Sequence, residues 1–355
     1  MKENKSSDLL QVFVFDGAPV RGEIVNIQDS WQAILARKDY PPAVKKLLGD
    51  LVAAGVLLSA TLKFNGSLII QAQGTGAVRL LVLECNENLV IRATAKLNED
   101  IDLSNLPENA GLSDLINPDG HGKLVITLDP ADRKPGQNPY QGIVALHDGI
   151  KPVQTIAEAI SLYMRDSEQL ETRLWLASDE EACGGLLLQR LPNMGGQLKM
   201  SDELAAEGWS RLQMLSETVT NEELLTLEPQ TLMKRLYLDE SAHHGVRSFD
   251  QRHIQFGCRC SRIKVADMLK MLGEEEVNSI LEEKSTVETN CDFCGQIYNF
   301  DAVDCKQCLN NSFASHEKAQ YWSNKNKFKP REIFKNSHKK YIFYCNICQQ
   351  IYSLN

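Results

Sequence analysis

Four cysteines in the last third of the chain constrain its fold more than any other feature. They stand as a close pair, Cys258 and Cys260, then thirty residues without cysteine, then a second close pair, Cys291 and Cys294. Two close pairs of thiolates are what a tetrahedral zinc ion requires. Cys-Arg-Cys is one residue tighter than the Cys-x₂-Cys of most zinc knuckles, so its thiols can also pair as a strained disulfide. The spacing therefore predicts a zinc site that is also a candidate switch.

The residues between the two pairs predict a small helical hairpin. Ser261 can cap a first helix that carries Val265 and Leu269 on one face, Gly273 ends this helix, and Ile280 belongs to a second. A module of this size cannot be stabilised by hydrophobic burial alone. Structural zinc contributes roughly 10–16 kcal/mol to the folding of small modules at neutral pH. We therefore expect removal of the metal to unfold the module.

Residues 1–196 predict an α+β domain. Alternation of apolar and polar residues marks strands over 9–28 and an antiparallel meander over 62–96, and a helix with one apolar stripe opens at Pro42. Further elements are predicted near 123–128, 141–146, 155–165, 173–177 and 184–190, of which 155–165 is a helix and the others are strands. Helices and antiparallel strands mix without regular βαβ alternation, which favours the α+β class.

Residues 197–256 predict a helical linker. Its first helix spans 202–217, a capping box of Thr220 and Glu223 opens a second, and Pro229 opens a third. Isolated helices this short are marginal in water, so they need a surface to lie on. We expect them to dock on the first domain and to expose their apolar stripes if that docking is lost.

Composition limits the function classes. Of 355 residues, ten are cysteine, too few for a disulfide scaffold, and the start of the chain lacks an apolar core of signal-peptide length. No apolar stretch is long enough to cross a membrane. We therefore expect a cytoplasmic protein whose clustered thiols stay reduced. The net charge of −9 argues against general nucleic-acid binding, although eight Lys/Arg against two Glu make the chain from Asn310 onward basic.

Several motifs together resemble the thirty-three-kilodalton heat-shock protein family, the redox-regulated holdase chaperones. The similarity spans about residues 9–304, and its most specific part is the four-cysteine pattern. The matching stretches are Val20–Glu23, Ala60–Phe64, Tyr163–Arg165, Ser167–Leu170, Glu222–Leu227, Phe256–Ser261, Glu275–Leu281 and Cys291–Gly295. The resemblance assigns residues 257–304 to a zinc and redox switch module.

The resemblance implies an ATP-independent chaperone that is inactive when reduced, with one zinc ion on Cys258, Cys260, Cys291 and Cys294. By family analogy, oxidants convert these residues to the disulfides Cys258–Cys260 and Cys291–Cys294, zinc leaves, the module unfolds and the linker loosens. Exposed apolar surface then captures unfolding client proteins, and the active form is a dimer. No Walker A pattern and no hydrolase motif is present, so we expect no catalytic residues and no enzyme activity.

The extension over residues 305–355 departs from the family pattern. It contains two further Cys-x₂-Cys pairs, Cys305 with Cys308 and Cys345 with Cys348. These four residues predict a possible second zinc site, and the basic and aromatic residues between them could contact nucleic acid. The alternative, which we favour, is a poorly ordered extension without helical or strand periodicity.

Three other interpretations of the cysteines stay open. The centre can be a plain zinc knuckle with no redox role. The chain can be a zinc-module regulatory protein that binds nucleic acid through its basic tail. It can also be a thiol–disulfide oxidoreductase that uses Cys291 and Cys294 in turnover. That interpretation requires a thioredoxin-like setting, in which a strand leads into a helix. The residues after Cys294 instead predict a glycine turn and a strand.

Overall fold

Helices and strands are mixed throughout the part of the chain that the structure describes. The structure is a computed structural model and describes residues 8–62, 65–103, 107, 109–132, 137–192, 200–310, 326, 341–344 and 351–354. The chain divides into two units, Met1–Cys258 and Arg259–Asn355. The predicted α+β class is confirmed.

The strands are numbered in chain order over the described residues. They are β1 (Leu9–Phe15), β2 (Val20–Ile27), β3 (Gly66–Gln73), β4 (Val78–Asn86), β5 (Val90–Leu97), β6 (Lys123–Pro130), β7 (Tyr140–Ala145), β8 (Thr172–Ser178), β9 (Cys183–Arg190), β10 (Val246–Ser248), β11 (Arg252–His253), β12 (Gln255–Phe256), β13 (Thr286–Asn290), β14 (Ile297–Asp301), β15 (Tyr341–Tyr344) and β16 (Ile351–Leu354).

The helices follow the same numbering. They are α1 (Asp29–Leu35), α2 (Pro42–Thr61), α3 (Leu112–Leu115), α4 (Ile156–Asp166), α5 (Asp202–Ser216), α6 (Asn221–Thr226), α7 (Pro229–Leu236), α8 (Leu238–His243), α9 (Arg262–Leu272), α10 (Glu274–Lys284) and α11 (Ala302–Asn310).

Two sheets form the framework of the first unit. One has the strand order β10-β1-β2-β9-β8, with β11 also paired to β1, and the other has the order β12-β5-β4-β3-β6-β7. The predicted meander is confirmed as β3, β4 and β5 in antiparallel register. Only two residues of β12 join the second sheet, and they run parallel to β5 at its edge.

Helix α2 packs against strands of both sheets and is the centre of the first unit's core. The sequence predicts one apolar stripe on this helix, but every residue from Leu47 to Leu58 is buried. A second face of the helix is buried because its small residues allow the second sheet to pack closely against it. At Gly55, for example, Leu83 of β4 fills the space that a Cβ atom would occupy. The helix is thus a core helix rather than an amphipathic surface helix.

Helices α5, α6 and α7 cover the other face of the first sheet. Their Trp209, Leu212 and Leu232 pack in one buried cluster with Phe13 and Ile24 of the sheet. This is the docked arrangement expected for the linker helices. The division of the chain at residues 196 and 256 stays a prediction, because the structure groups residues 1–258 in one unit.

The second unit has a small core. Its helices α9 and α10 form the predicted hairpin, with the Ser261 side chain accepting a hydrogen bond from the Lys264 backbone N–H at 3.3 Å and Gly273 at a φ of 94° between the helices. The pair β13–β14 follows as an antiparallel hairpin, and α11 packs on α9. Among the described residues of this unit, the fully buried apolar side chains are Leu269, Val277, Val287, Phe300 and Cys305.

The extension contains more secondary structure than the sequence suggests. Helix α11 runs across the boundary predicted between residues 304 and 305, and β15 pairs with β16 in antiparallel register. Strand periodicity was hidden because each of these strands is only four residues long.

A buried carboxyl group stands out in the first sheet. The side chain of Glu23 is fully buried on β2, and among the described residues neither of its oxygens has a hydrogen-bond partner. The Arg21 Nε atom lies 4.0 Å from it. Burial raises the pKa of Glu23 to about 8, despite the opposing effect of the Arg21 charge. Glu23 therefore keeps its proton at neutral pH.

Because of the buried Glu23 carboxyl group, we expect the free energy of unfolding to depend on pH. The folded chain holds the Glu23 proton up to about pH 8, whereas an unfolded chain releases it near its ordinary value of 4.5. The folded state therefore binds more protons between these values, and the free energy of unfolding falls as pH rises through them. Glu23→Gln removes the ionisation, so we expect it to flatten this slope and to stabilise the chain by roughly 2–4 kcal/mol above pH 8.

Thermal unfolding followed by circular dichroism at about pH 6 and about pH 9 measures the effect. The matched control is Glu181→Gln, because Glu181 is exposed. Equal pH slopes in the parent chain and in Glu23→Gln would show that Glu23 does not titrate in this way.

Candidate metal centre

The structure brings the four predicted cysteines together. The sulfur atoms of Cys258, Cys260, Cys291 and Cys294 all lie within 4.8 Å of one another, and those of Cys260 and Cys294 are 3.3 Å apart. Each side chain is half-buried. An ion bound tetrahedrally by sulfur at about 2.3 Å requires sulfur atoms about 3.8 Å apart. The cluster therefore fits one tetrahedral metal ion.

A tight turn between β13 and β14 positions the second pair. The Cys291 backbone N–H donates to Gln296 O at 3.0 Å, and the Gly295 N–H donates to Cys291 O at 2.8 Å. Gly295 has a φ of 69°, a left-handed conformation that glycine adopts without strain. This turn directs both sulfur atoms to the same side.

The edge of the second sheet positions Cys258. The Gly257 N–H donates to Ile91 O of β5 at 3.0 Å, so the backbone directly before Cys258 is hydrogen-bonded to this strand. The Arg92 guanidinium, on the same strand, donates from Nη1 to Cys258 Sγ at 3.7 Å and from Nε to a Glu84 carboxylate oxygen at 2.7 Å. The guanidinium thus places a positive charge beside this sulfur atom.

Arg92 is a site residue that sequence reasoning missed. It lies 166 residues from Cys258 in the chain, and nothing in a strand pattern indicates such a contact. Only the pairing of β12 with β5 brings the two side chains together.

Tyr298 supports the other sulfur of the first pair. It lies on β14, and its hydroxyl donates a hydrogen bond to Cys260 Sγ at 3.2 Å. This hydrogen bond raises the pKa of Tyr298 to about 12, so the hydroxyl stays a donor. A hydroxyl donor stabilises a thiolate that ligates a metal ion.

We expect Tyr298→Phe to weaken metal binding about tenfold, because it removes this donor and keeps the ring. Competition with a chromophoric chelator measures the affinity. The matched control is Tyr140→Phe, since Tyr140 is an exposed residue of β7. Unchanged affinity in Tyr298→Phe would mean that the hydroxyl does not act on the centre.

The other cysteines have different surroundings. Cys305 is buried in the small core of the second unit and Cys308 is half-buried, while Cys345 and Cys348 lie outside the described residues. A second metal site on these four residues stays a prediction. Cys85 and Cys183 are buried in the first unit, as the sequence predicts, and burial raises the pKa of both thiols.

The setting of Cys291 and Cys294 differs from that of a thiol–disulfide oxidoreductase. Both stand in the turn of a β-hairpin and not at the start of a helix, where a helix N-terminus would lower the pKa of the attacking thiol. The hairpin therefore lacks the feature on which the oxidoreductase interpretation depends.

Fold and site together define an α+β protein with a cluster of four cysteines that could hold a metal ion. The sequence model of the Hsp33 protein family matches residues 8–301. The chain therefore belongs to the Hsp33 family, which confirms the resemblance found in the sequence. Within the described residues, the helices are too short or too polar to cross a lipid bilayer.

Curated relatives and a solved structure agree with this assignment. The 33 kDa chaperonin of Chromobacterium violaceum is 46% identical over 300 residues, covering 84% of this chain and 93% of the relative. That of Methylobacillus flagellatus is 44% identical over 302 residues, covering 85% and 94%. The crystal structure of the 33 kDa chaperonin from Thermotoga maritima, 18% identical, has the same fold with a TM-score of 0.65 and covers 86% of this chain and 98% of that one.

Proposed function

We propose that this chain is a redox-regulated, ATP-independent holdase chaperone, inactive when reduced and metal-bound. One observation carries the proposal: four sulfur atoms lie within 4.8 Å of one another in a region whose own apolar core is small. Sulfur atoms this close can share a metal ion when reduced and can pair covalently when oxidised. Membership of the Hsp33 family, whose relatives are named 33 kDa chaperonin, supports chaperone action.

We propose Zn²⁺ as the metal, one ion per chain, with Cys258, Cys260, Cys291 and Cys294 as its ligands. Soft thiolates in a tetrahedral set select zinc over hard cations. When bound, the ion supplies folding free energy to the small module. Arg92 and the Tyr298 hydroxyl stabilise the thiolates, since they donate to Cys258 and Cys260.

Oxidation converts the four ligands to two disulfides in this proposal. The proposed pairs are Cys258–Cys260 and Cys291–Cys294. For each pair two thiols lose two protons and two electrons to one peroxide, the O–O bond breaks, an S–S bond forms and two waters result. A disulfide sulfur is a poor metal ligand, so the metal is released and the module loses its main source of stability.

The apolar cluster under the linker helices is the proposed client-binding surface. Phe13 and Ile24 of the first sheet lie beneath Trp209 and Leu232, so release of the helices exposes them. The side-chain amide of Asn26 also anchors α6, since it donates to Leu224 O at 2.9 Å and to Leu225 O at 2.8 Å. We propose that unfolding beyond Cys258 frees β12 from β5 and then loosens these helices.

The remaining assignments are part of the same proposal. Residues 1–196 are the core domain, 197–256 the linker, 257–304 the switch module and 305–355 an extension. The oxidised form is a homodimer that binds unfolding client proteins and has no enzyme activity. The protein acts in the cytoplasm, because the reduced thiolate form needs a reducing compartment.

Light scattering by a thermally unfolding client enzyme tests the function. We expect the oxidised, metal-free protein to suppress aggregation at near-stoichiometric amounts and the reduced, metal-bound protein to have little effect, because only the former exposes its apolar cluster. ATP should change neither result.

Cys85→Ala is the matched control, because Cys85 is buried in the core of the first unit and is not one of the four clustered cysteines. This variant should switch like the parent chain. Equal suppression by the reduced and oxidised proteins would contradict redox regulation, and suppression by neither would contradict the holdase function itself.

A further inference from the structure

Helix α11 carries a cysteine pair that the proposed switch does not use. Cys305 and Cys308 stand in the middle of this helix, three residues apart. The family model matches residues 8–301, so this helix lies beyond the matched part of the chain. The pair therefore has no role by family membership.

The fold conceals Cys305. Its side chain is only 1% exposed and lies in the core of the second unit with Leu269, Val277, Val287 and Phe300. These neighbours come from both helices of the hairpin and from both strands that follow. Cys308 is half-buried and packs against the same core. Neither an oxidant nor an alkylating reagent reaches Cys305 while this core is intact.

The same core depends on the start of α9, next to the metal centre. Arg262, two residues after Cys260, donates from Nη1 to Asn299 O at 2.7 Å and from Nη2 to the Asp304 carboxylate of α11 at 2.6 Å. Its guanidinium also lies 4.2 Å from the centre of the Phe300 ring. Unfolding that begins at Cys260 therefore breaks the Arg262 contacts that hold α11 in place.

Helix geometry also keeps the two thiols apart. Residues three positions apart on an α-helix have Cβ atoms about 5–6 Å apart. A disulfide requires a Cβ–Cβ distance of about 3.5–4.5 Å. Bond formation therefore requires α11 to leave its helical conformation. Burial also raises the pKa of both thiols, which lowers the fraction of reactive thiolate while the helix is packed.

We propose that Cys305 and Cys308 are a second, concealed redox site, which peroxide oxidises to a disulfide only after the module has unfolded. This proposal rests on the proposed function, since that function supplies the unfolding step. One thiolate attacks peroxide to give a sulfenic acid and one water, and the second thiol displaces another water to form the S–S bond. The balance is two thiols and one peroxide consumed, one disulfide and two waters formed.

The disulfide has a structural consequence. Because it is incompatible with the helical spacing, α11 cannot repack on α9 while the bond exists. Cys305 then cannot return to the core of the second unit. Oxidation of this pair therefore delays refolding of the module and prolongs the open state after the metal ligands are reduced.

Pulsed alkylation of the full-length protein tests the concealment. N-ethylmaleimide is applied briefly to zinc-bound protein and to protein treated with a zinc chelator, and peptide mass spectrometry locates the label. We expect Cys305 to react at least about tenfold faster after metal removal, because its core has then opened. Cys85 and Cys183 should stay unlabelled in both samples, since the first unit buries them.

Two variants distinguish the loss of the Arg262 contacts to α11 from a general effect of removing one positive charge. Arg262→Ala should raise the labelling rate of Cys305 in zinc-bound protein by about two- to fivefold, as loss of one exposed ion pair allows. Lys284→Ala removes the same charge from an exposed position of α10 and should leave the rate unchanged.

Peroxide treatment tests the order of oxidation. The Cys305–Cys308 disulfide should appear after the four metal ligands are oxidised, and it should be absent in Cys308→Ser. Equal labelling of Cys305 with and without zinc, continued protection after zinc removal, or a disulfide formed before zinc release would each overturn the proposal. A second zinc ion per chain that is lost in Cys305→Ser would assign the pair to metal binding instead.

The chelator experiment does not depend on chaperone activity. If oxidised protein fails to hold clients while Cys305 still becomes accessible, the proposed function is wrong and the concealment of Cys305 is supported. If oxidised protein holds clients while Cys305 stays protected, the proposed function is supported and the concealed redox site is wrong.

Discussion

In the proposed function, the second unit depends on the attraction of four thiolates to one metal ion. Among the described residues of this unit the buried apolar side chains are few, and Leu269 and Val277 are the main contribution of helices α9 and α10. Burial on this scale cannot offset the conformational entropy of ordering three helices and a hairpin. In this proposal the same sulfur atoms are also the groups that an oxidant attacks. Stability and sensitivity to oxidation would then reside in one set of atoms.

The first unit is built in the opposite way. Helix α2 is buried on both faces between two sheets, so the core of this unit needs no metal. The linker helices are intermediate in burial between α2 and the helices of the second unit. They bury one face only, and this face covers an apolar cluster that includes Phe13 and Leu186. In the proposed mechanism, these differences in burial let a local event at the cysteines release the linker helices while the sheet beneath them stays folded.

Local features were predictable from the sequence. The Ser261 cap, the Thr220–Glu223 capping box and the turn after Cys294 each depend on residues within a few positions, and the structure contains all three. The cysteine cluster was predictable because thiol pairs have few alternative roles in a chain of this composition.

Contacts between distant residues were not predictable. Arg92 reaches Cys258 only because β12 joins the edge of β5, and two residues of parallel strand leave no sequence pattern. The burial of Glu23 contradicts the usual preference of carboxylates for water, so no pattern indicates it. Helix α11 was missed because Cys305 fills the place of an apolar core residue.

Hydrogen–deuterium exchange on the reduced, metal-bound protein and on the oxidised protein shows whether the cysteine centre controls the linker. Oxidation should remove protection from α9 and α10 and from the linker helices α5–α7, while the amides of α2 stay protected. Unchanged protection of α5–α7 after oxidation would contradict the claim that the cysteine centre controls the linker. Loss of protection in α2 as well would show global unfolding instead of a switch.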